Sequence, residues 1–215
     1  LGNLKFIEDK KFNDPKNKND FSKKFKKYNI WVAASTHNGE EIFCAKAHKE
    51  LKKKNKKLIT IIIPRHIDRV EEIKSEIQKL NLKVTIHSSK EKNLEKTDIY
   101  LVDVFGESKK FYKISPTVFL GKSLTVKGGQ NPLEAIHNNA RILHGPFIDN
   151  FKDVYKLLKS LDASIQIINI RQLISLISFK KNNIIGKKIK KIGKTILNKT
   201  TKEIDQFIYN ENKKT

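Results

Sequence analysis

The chain is poor in the residues that would place it in several common classes. It has one cysteine, Cys44, and no methionine. A single thiol excludes an internal disulfide and any Cys-rich metal site. Cys44 lies in an apolar helical stretch and reads as a packed thiol rather than a nucleophile. The lack of Met even at position 1 suggests a fragment or a processed form. No stretch approaches the roughly 18 consecutive apolar residues of a membrane span. Leu1-Gly2-Asn3-Leu4-Lys5-Phe6 has no basic start followed by an apolar run, so no signal peptide is visible. Arginine is scarce too, with only Arg65, Arg69, Arg141 and Arg171 among 45 basic residues.

What is abundant is lysine. The formal net charge is +22 over 215 residues. Nucleic acid or an anionic membrane surface would suit that charge. Base and phosphate recognition favours the arginine fork, and few aromatics accompany the basic runs. No nucleic-acid partner is therefore expected, and a cationic face toward an acidic surface is retained. The six histidines have no paired ligand spacing, so no metal site is expected. Walker, dinucleotide-fingerprint, serine-hydrolase and kinase signatures are missing.

Residues 1–29 are polar and Lys/Asn-rich and read as an inter-domain linker or lead-in. Apolar strands then alternate with amphipathic helices. Strands are expected at 30–34, 58–63, 83–87, 98–104, 117–120 and 141–144. Helices are expected at 40–54, 67–80, 108–114, 132–138 and 150–161. That alternation implies an α/β domain over 30–163, a parallel sheet with helices on both faces. Such sheets bind ligands outside the carboxyl ends of their strands. Residues 164–215 form a Lys-rich segment, with a short strand near 165–168 and helices over 171–179 and 184–208. Its positive side could be a solvated face or could meet an anionic membrane.

The unusual polar motifs all follow strands. Ser35-Thr36-His37-Asn38-Gly39 follows the first, where Asn38 and Glu41 also suit a capping box. Pro64-Arg65-His66 follows the second. In a chain that otherwise chooses Lys, Arg65 suggests planar contact with phosphate or a base edge. Arg69 could simply pair with Glu72. Phe105-Gly106-Glu107 follows the fourth strand. Gly121-Lys122-Ser123-Leu124 and Gly128-Gly129-Gln130-Asn131-Pro132-Leu133-Glu134 follow the fifth. The double glycine before a helix start reads as an anion site, with Pro132 at the first helical position. Asn131 and Glu134 also fit a capping box, which leaves the glycines unexplained. Glu134 is placed to accept ribose hydroxyls.

Taken together, these loops resemble the C-terminal domain of the 3-deoxy-D-manno-octulosonic acid (Kdo) transferases of lipopolysaccharide biosynthesis. The similarity covers about residues 1–160. It runs through Trp31 to Glu41, Pro64-Arg65-His66 with Arg69, Gly106-Glu107 with Tyr112, and Gly121 to Leu124. The glycine-rich motif, Gly145-Pro146-Phe147 and Asn150-Phe151 complete it. The resemblance implies a Rossmann-like domain, the C-terminal half of a GT-B glycosyltransferase that moves Kdo from CMP-Kdo to a lipid A precursor. It implies CMP contacts at Pro64, Arg65, Phe105, Gly106, Glu107, Asn131, Pro132, Leu133 and Glu134. Further donor contacts are expected at Ser35, Thr36, His37, Ser123, Gly128, Gly129 and Gln130. The catalytic base, acceptor site and membrane anchor are expected in an N-terminal domain outside this chain, which alone should be inactive. No cofactor is expected. The implied location is the cytoplasmic face of the bacterial inner membrane. Four positions depart from the family pattern. Lys122 replaces a usual Gly, Gln130 a common His, Ser108 a usual Leu, and Ala135 a common Pro. Another nucleotide sugar such as a UDP-linked one, for a transferase or an epimerase, or a basic nucleic-acid-binding module, is the alternative.

Overall fold

A computed structural model describes residues 20–90, 92–181 and 183–212. The runs rich in β-branched residues form a seven-stranded sheet, β1 (Asn29–Thr36), β2 (Leu58–Pro64), β3 (Val84–Ile86), β4 (Ile99–Leu101), β5 (Thr117–Leu120), β6 (Arg141–His144) and β7 (Ser164–Gln166). The spatial order is β3-β4-β2-β1-β5-β6-β7 and every pairing is parallel. In register, Val32 of β1 lies opposite Ile61 of β2 on one side and Val118 of β5 on the other. The chain order reverses between β1 and β5, so the crevice of the switch point opens between the loops that follow those two strands.

All seven residues of β2 are buried, as a continuous apolar run in a sheet covered on both faces requires. One face carries Val32, Ala34, Ile61, Val118 and Ile142 against α1 (Asp20–Phe25), α4 (Ser108–Ile114), α5 (Leu133–His137), α6 (Lys152–Ser160) and α8 (Asn183–Asn212). The other carries Trp31, Ala33, Ile62, Leu101 and Phe119 against α2 (Glu40–Lys54), α3 (Val70–Gln78) and α7 (Ile170–Leu176). Cys44 is fully buried in this second layer, and burial pushes its thiol well up, as expected of a packed thiol.

Three expectations need correction. Residues 20–29 do not belong to a lead-in: Phe25 is 3% exposed and packs edge-on against Tyr100, and Phe21 does the same against Phe111. Residues 1–19 of that segment lie outside the described part. The domain also does not end at 163. β7 pairs with β6, α7 packs on α2 through buried Leu173, and α8 packs on α5 through buried Ile185 and Ile189. Finally, the helix expected at 67–80 opens as a 3-10 turn at Ile67–Arg69, and α5 is one residue shorter at each end than expected. In α5 the Asn131 side chain accepts the Leu133 N–H at 3.1 Å, which leaves Pro132 just before the helix.

Candidate functional site

Because the sheet is wholly parallel, the loops after β1, β2, β4, β5 and β6 share its carboxyl edge. Backbone and carboxylate contacts knit four of them together. The Arg65 N–H donates to the Thr36 carbonyl at 3.0 Å, joining the β2 and β1 ends. Glu40, fully buried at the start of α2, joins the β1 and β5 loops. Its Oε2 accepts N–H groups of His37 and Lys122 at 2.9 and 2.8 Å. Its Oε1 accepts those of Ser123 and Leu124 at 3.0 and 2.9 Å. Four donors on one carboxylate satisfy a charge that burial would otherwise make costly. Sequence reasoning treated Glu40 as a helix residue; an acid directly after Gly39 was the available signal.

The same packing explains glycines. A Cβ on Gly121 would stand 2.5 Å from Glu40 Oε2 and from the Ser35 carbonyl, and one on Gly145 would stand 2.0 Å from the Ser123 carbonyl. Gly129 has φ +73 and faces the Ile148 backbone, 2.9 Å from where a Cβ would be. Two non-glycine residues also take left-handed backbone here, Ser35 at φ 53 and Lys122 at φ 55. Ser35 sits at the register shift between Ala34 and Thr36, a bulge that ends the strand and turns the next residues over the edge.

The residues singled out from the sequence separate into three groups. Arg65, Phe105, Gly106, Asn131 and Glu134 are exposed at the carboxyl edge. The Phe105 ring is 66% exposed, a large bare aromatic at the end of β4. Among the described residues, the Arg65 guanidinium has no acidic partner, whereas Arg69 is forked to Glu72 at 3.2 Å and lies 3.6 Å from Glu41. Partial desolvation raises the Glu134 carboxyl, with Lys109 opposing.

A second group is only partly accessible. Glu107 lies at the head of α4 with its Oε2 2.6 Å from His87 Nε2 and in close contact with the Lys110 ammonium. His87 is held from behind by Tyr100, whose hydroxyl is 2.7 Å from Nδ1. Desolvation pulls against Glu107 ionisation, but Lys110 and His87 outweigh it and hold the carboxyl below its usual range. His37 donates from Nδ1 to the Ser35 carbonyl at 3.1 Å and faces the His66 ring at 5.4 Å. Burial lowers the His37 pKa, and the neighbouring His66 and Lys122 add to that.

The third group is buried. Thr36 and Ser123 are wholly inaccessible, and the Ser123 hydroxyl is occupied by the Leu120 carbonyl and the Gly145 N–H, so neither hydroxyl reaches solvent. Pro64, Pro132, Leu133, Gly128 and Gly129 are buried too, so only their backbones are placed to line the edge. Gln130 offers its carbonyl to Tyr155 at 3.1 Å. The anion site expected at the glycine-rich loop is also weaker than its sequence implies. The Gly129 N–H is bonded to the Lys122 carbonyl at 2.8 Å and the Leu133 N–H to Asn131. A five-residue helix contributes little dipole beyond its own first turn.

Among the described residues there is no group of three or more His, Cys, Asp or Glu able to hold a metal, and no helix is long and apolar enough to cross a membrane. An open groove of about 740 Å³, lined by Leu161, Ile192 and Ile196 with Lys188, Lys191 and Lys199 among its rim, lies along α8. Leu161 leads into β7, at the amino edge of the sheet, so this groove is at the opposite end from the polar loops.

No family model matches the chain. It is 33% identical over 138 residues to the 3-deoxy-D-manno-octulosonic acid transferase of Haemophilus influenzae, covering 64% of this chain and 32% of that protein. It is 33% identical over 182 residues to the transferase of the same name from Rickettsia felis, covering 83% and 38%. The chain thus spans about a third of the length of these curated relatives. Among solved structures, the C-terminal CMP-Kdo binding domain of WaaA from Acinetobacter baumannii matches with a TM-score of 0.67 and 28% identity, over 71% of this chain and 80% of that one. In sequence and in fold, the chain is a homologue of the C-terminal domain of the 3-deoxy-D-manno-octulosonic acid transferases.

Proposed function

We propose that this chain is the donor-binding half of a GT-B glycosyltransferase that moves Kdo from CMP-Kdo to a lipid A precursor in lipopolysaccharide synthesis. The observation that carries the reading is that an unpaired Arg65, a bare Phe105 ring and two carboxylates, Glu107 and Glu134, all follow strands at the carboxyl edge of the sheet. A nucleotide asks for these chemistries: a planar cation for phosphate, an aromatic face for the base, and acceptors for the ribose hydroxyls. The likeness to a solved domain whose name states that it binds CMP-Kdo supports the choice of nucleotide.

In this reading Phe105 covers the base, Arg65 offsets the phosphate charge that grows as CMP departs, and Glu134 and Glu107 hold the ribose. No resident metal is assigned a part. The other wall of the crevice, the catalytic base and the acceptor site belong to a second domain, which also supplies the membrane anchor on the cytoplasmic face of the inner membrane. The lysines of α8 would face the anionic lipid beside that anchor.

Titration calorimetry with CMP tests the reading. The wild-type chain should bind CMP more tightly than UMP or UDP. Glu134→Ala should weaken CMP about tenfold, the scale of one charge-assisted hydrogen bond. Equal binding of CMP and UDP would favour a UDP-linked donor, and no nucleotide binding by the folded chain would end the proposal.

A further inference from the structure

Lys122 stands in a conformation that lysine rarely adopts. Its φ of 55 is in the left-handed region, where a β-carbon is costly. It is also the position at which the family resemblance leads one to expect glycine. The backbone is held there from both sides. The Lys122 N–H donates to buried Glu40 at 2.8 Å, and its carbonyl accepts the Gly129 N–H at 2.8 Å. The side chain turns back over the glycine-rich loop. A β-carbon on Gly128 would be 3.3 Å from Lys122 Cε and 3.7 Å from Nζ. Among the described residues this ammonium has no acidic partner, because all four strong contacts of the neighbouring Glu40 carboxylate go to backbone N–H groups. His37 feels its charge across the crevice.

A strained residue kept on a rigid support calls for something gained elsewhere. We infer that Lys122 adds a cation of its own to the donor crevice, binding an oxyanion of the donor, either the nucleotide phosphate or the carboxylate of the sugar acid. This deepens the donor reading and rests on it. The glycine-rich loop supplies fewer free N–H groups than its sequence suggests, and the lysine provides the positive charge in the same place. A lysine is suited to that task because its ammonium is a point charge on a flexible stem, able to follow an anion that a fork could not meet squarely.

The test turns on Lys122→Gly, because glycine removes the charge and relieves the backbone at once. The variant should melt a few degrees higher than wild type. It should leave cytidine binding unchanged and weaken an anionic ligand about tenfold at low salt. Calorimetry with cytidine, with CMP, and with Kdo added to the CMP-saturated chain separates the sources. Loss on CMP assigns the phosphate; loss confined to Kdo assigns the carboxylate. Lys122→Gln, which keeps a long side chain without charge, should reproduce the loss. The inference is overturned if both variants bind all three ligands as wild type does, or if Lys122→Gly melts lower, which would make the lysine a packing residue. A wild-type chain that binds neither CMP nor Kdo would sink the donor reading and this inference together; a binding wild type with unmoved variants sinks this inference alone.

Discussion

At the scale of single residues, the polar groups of the carboxyl edge divide into those that build loops and those left exposed. Arg65 stands out in the sequence because it breaks a strong preference for lysine, and the structure leaves its side chain exposed. The burial of the Ser123 and Thr36 hydroxyls was not legible, since a small polar residue after a strand looks the same whether its hydroxyl faces solvent or closes a turn. Glu40 was missed for a related reason: four loop N–H groups meeting one carboxylate is a tertiary fact with no local signature. Its neighbour Glu41 makes a prediction. It is 1% exposed, its Oε1 has no hydrogen-bond partner, and Arg69 is no nearer than 3.6 Å. Desolvation raises its pKa from 4.5 to about 7, against the pull of Arg69. A raised folded pKa gives stability that is full below about 4.5 and lost as pH rises through about 7. Relative to Glu41→Gln, the wild type should therefore lose up to about 3 kcal/mol between pH 4.5 and 8. Denaturant melts of both proteins across that range check it; a constant difference would mean that Glu41 ionises in the fold without penalty.

At the scale of elements, the strands were readable where they are continuous and apolar. β2, β5 and β6 fall within a residue of their expected limits. The edge of the sheet was less clear. β3 and β4 pair over only three residues each, because the Asp98 and Asp103 side chains bond backbone N–H groups of Lys83 and Ser88 and so take over the ends of the ladder. α1 was invisible for a different reason. Six residues, three of them charged, lack the length for a periodic signal, and what fixes the helix is the pair Phe21 and Phe25 reaching an aromatic cluster with Tyr100 and Phe111. If α1 is part of the domain, Phe25→Ala should lower stability by about 3 kcal/mol, the scale of a buried phenylalanine truncation. A helix that is only a lead-in would give less than about 0.5 kcal/mol, as surface changes do. Chemical denaturation distinguishes the two, and an unchanged slope with denaturant would show that the compactness of both states is preserved.

At the scale of the whole molecule, the excess of positive charge has a consequence independent of any ligand. With 45 basic and 23 acidic residues, the folded state holds like charges closer together than the unfolded chain does. Seven lysines of α8, from Lys187 to Lys202, are exposed within sixteen residues that contain no acid. Opposing this are surface ion pairs such as Lys27–Glu95, Lys53–Glu50 and Lys74–Glu71, which salt would weaken. The exposed pairs contribute little, the i,i+3 pairs about 0.2–0.5 kcal/mol. Repulsion is spread over many more charges than those pairs involve, so screening should stabilise. The melting temperature is expected to rise between 10 mM and 300 mM NaCl, where the Debye length falls from about 30 Å to less than 10 Å. If α8 is the main source, Lys187→Glu with Lys194→Glu should raise the low-salt melting temperature and reduce the salt slope. Each new acid would stand three or four residues, about one helical turn, from Lys190 and Lys191, and such pairs add a few tenths of a kcal/mol. A salt slope unchanged by the double substitution would move the repulsion off α8 and weaken the proposal that this helix meets anionic lipid; a slope cut by half would place the chain's positive field on one helix, at the opposite edge of the sheet from the polar loops, with Lys122 as a separate and local charge.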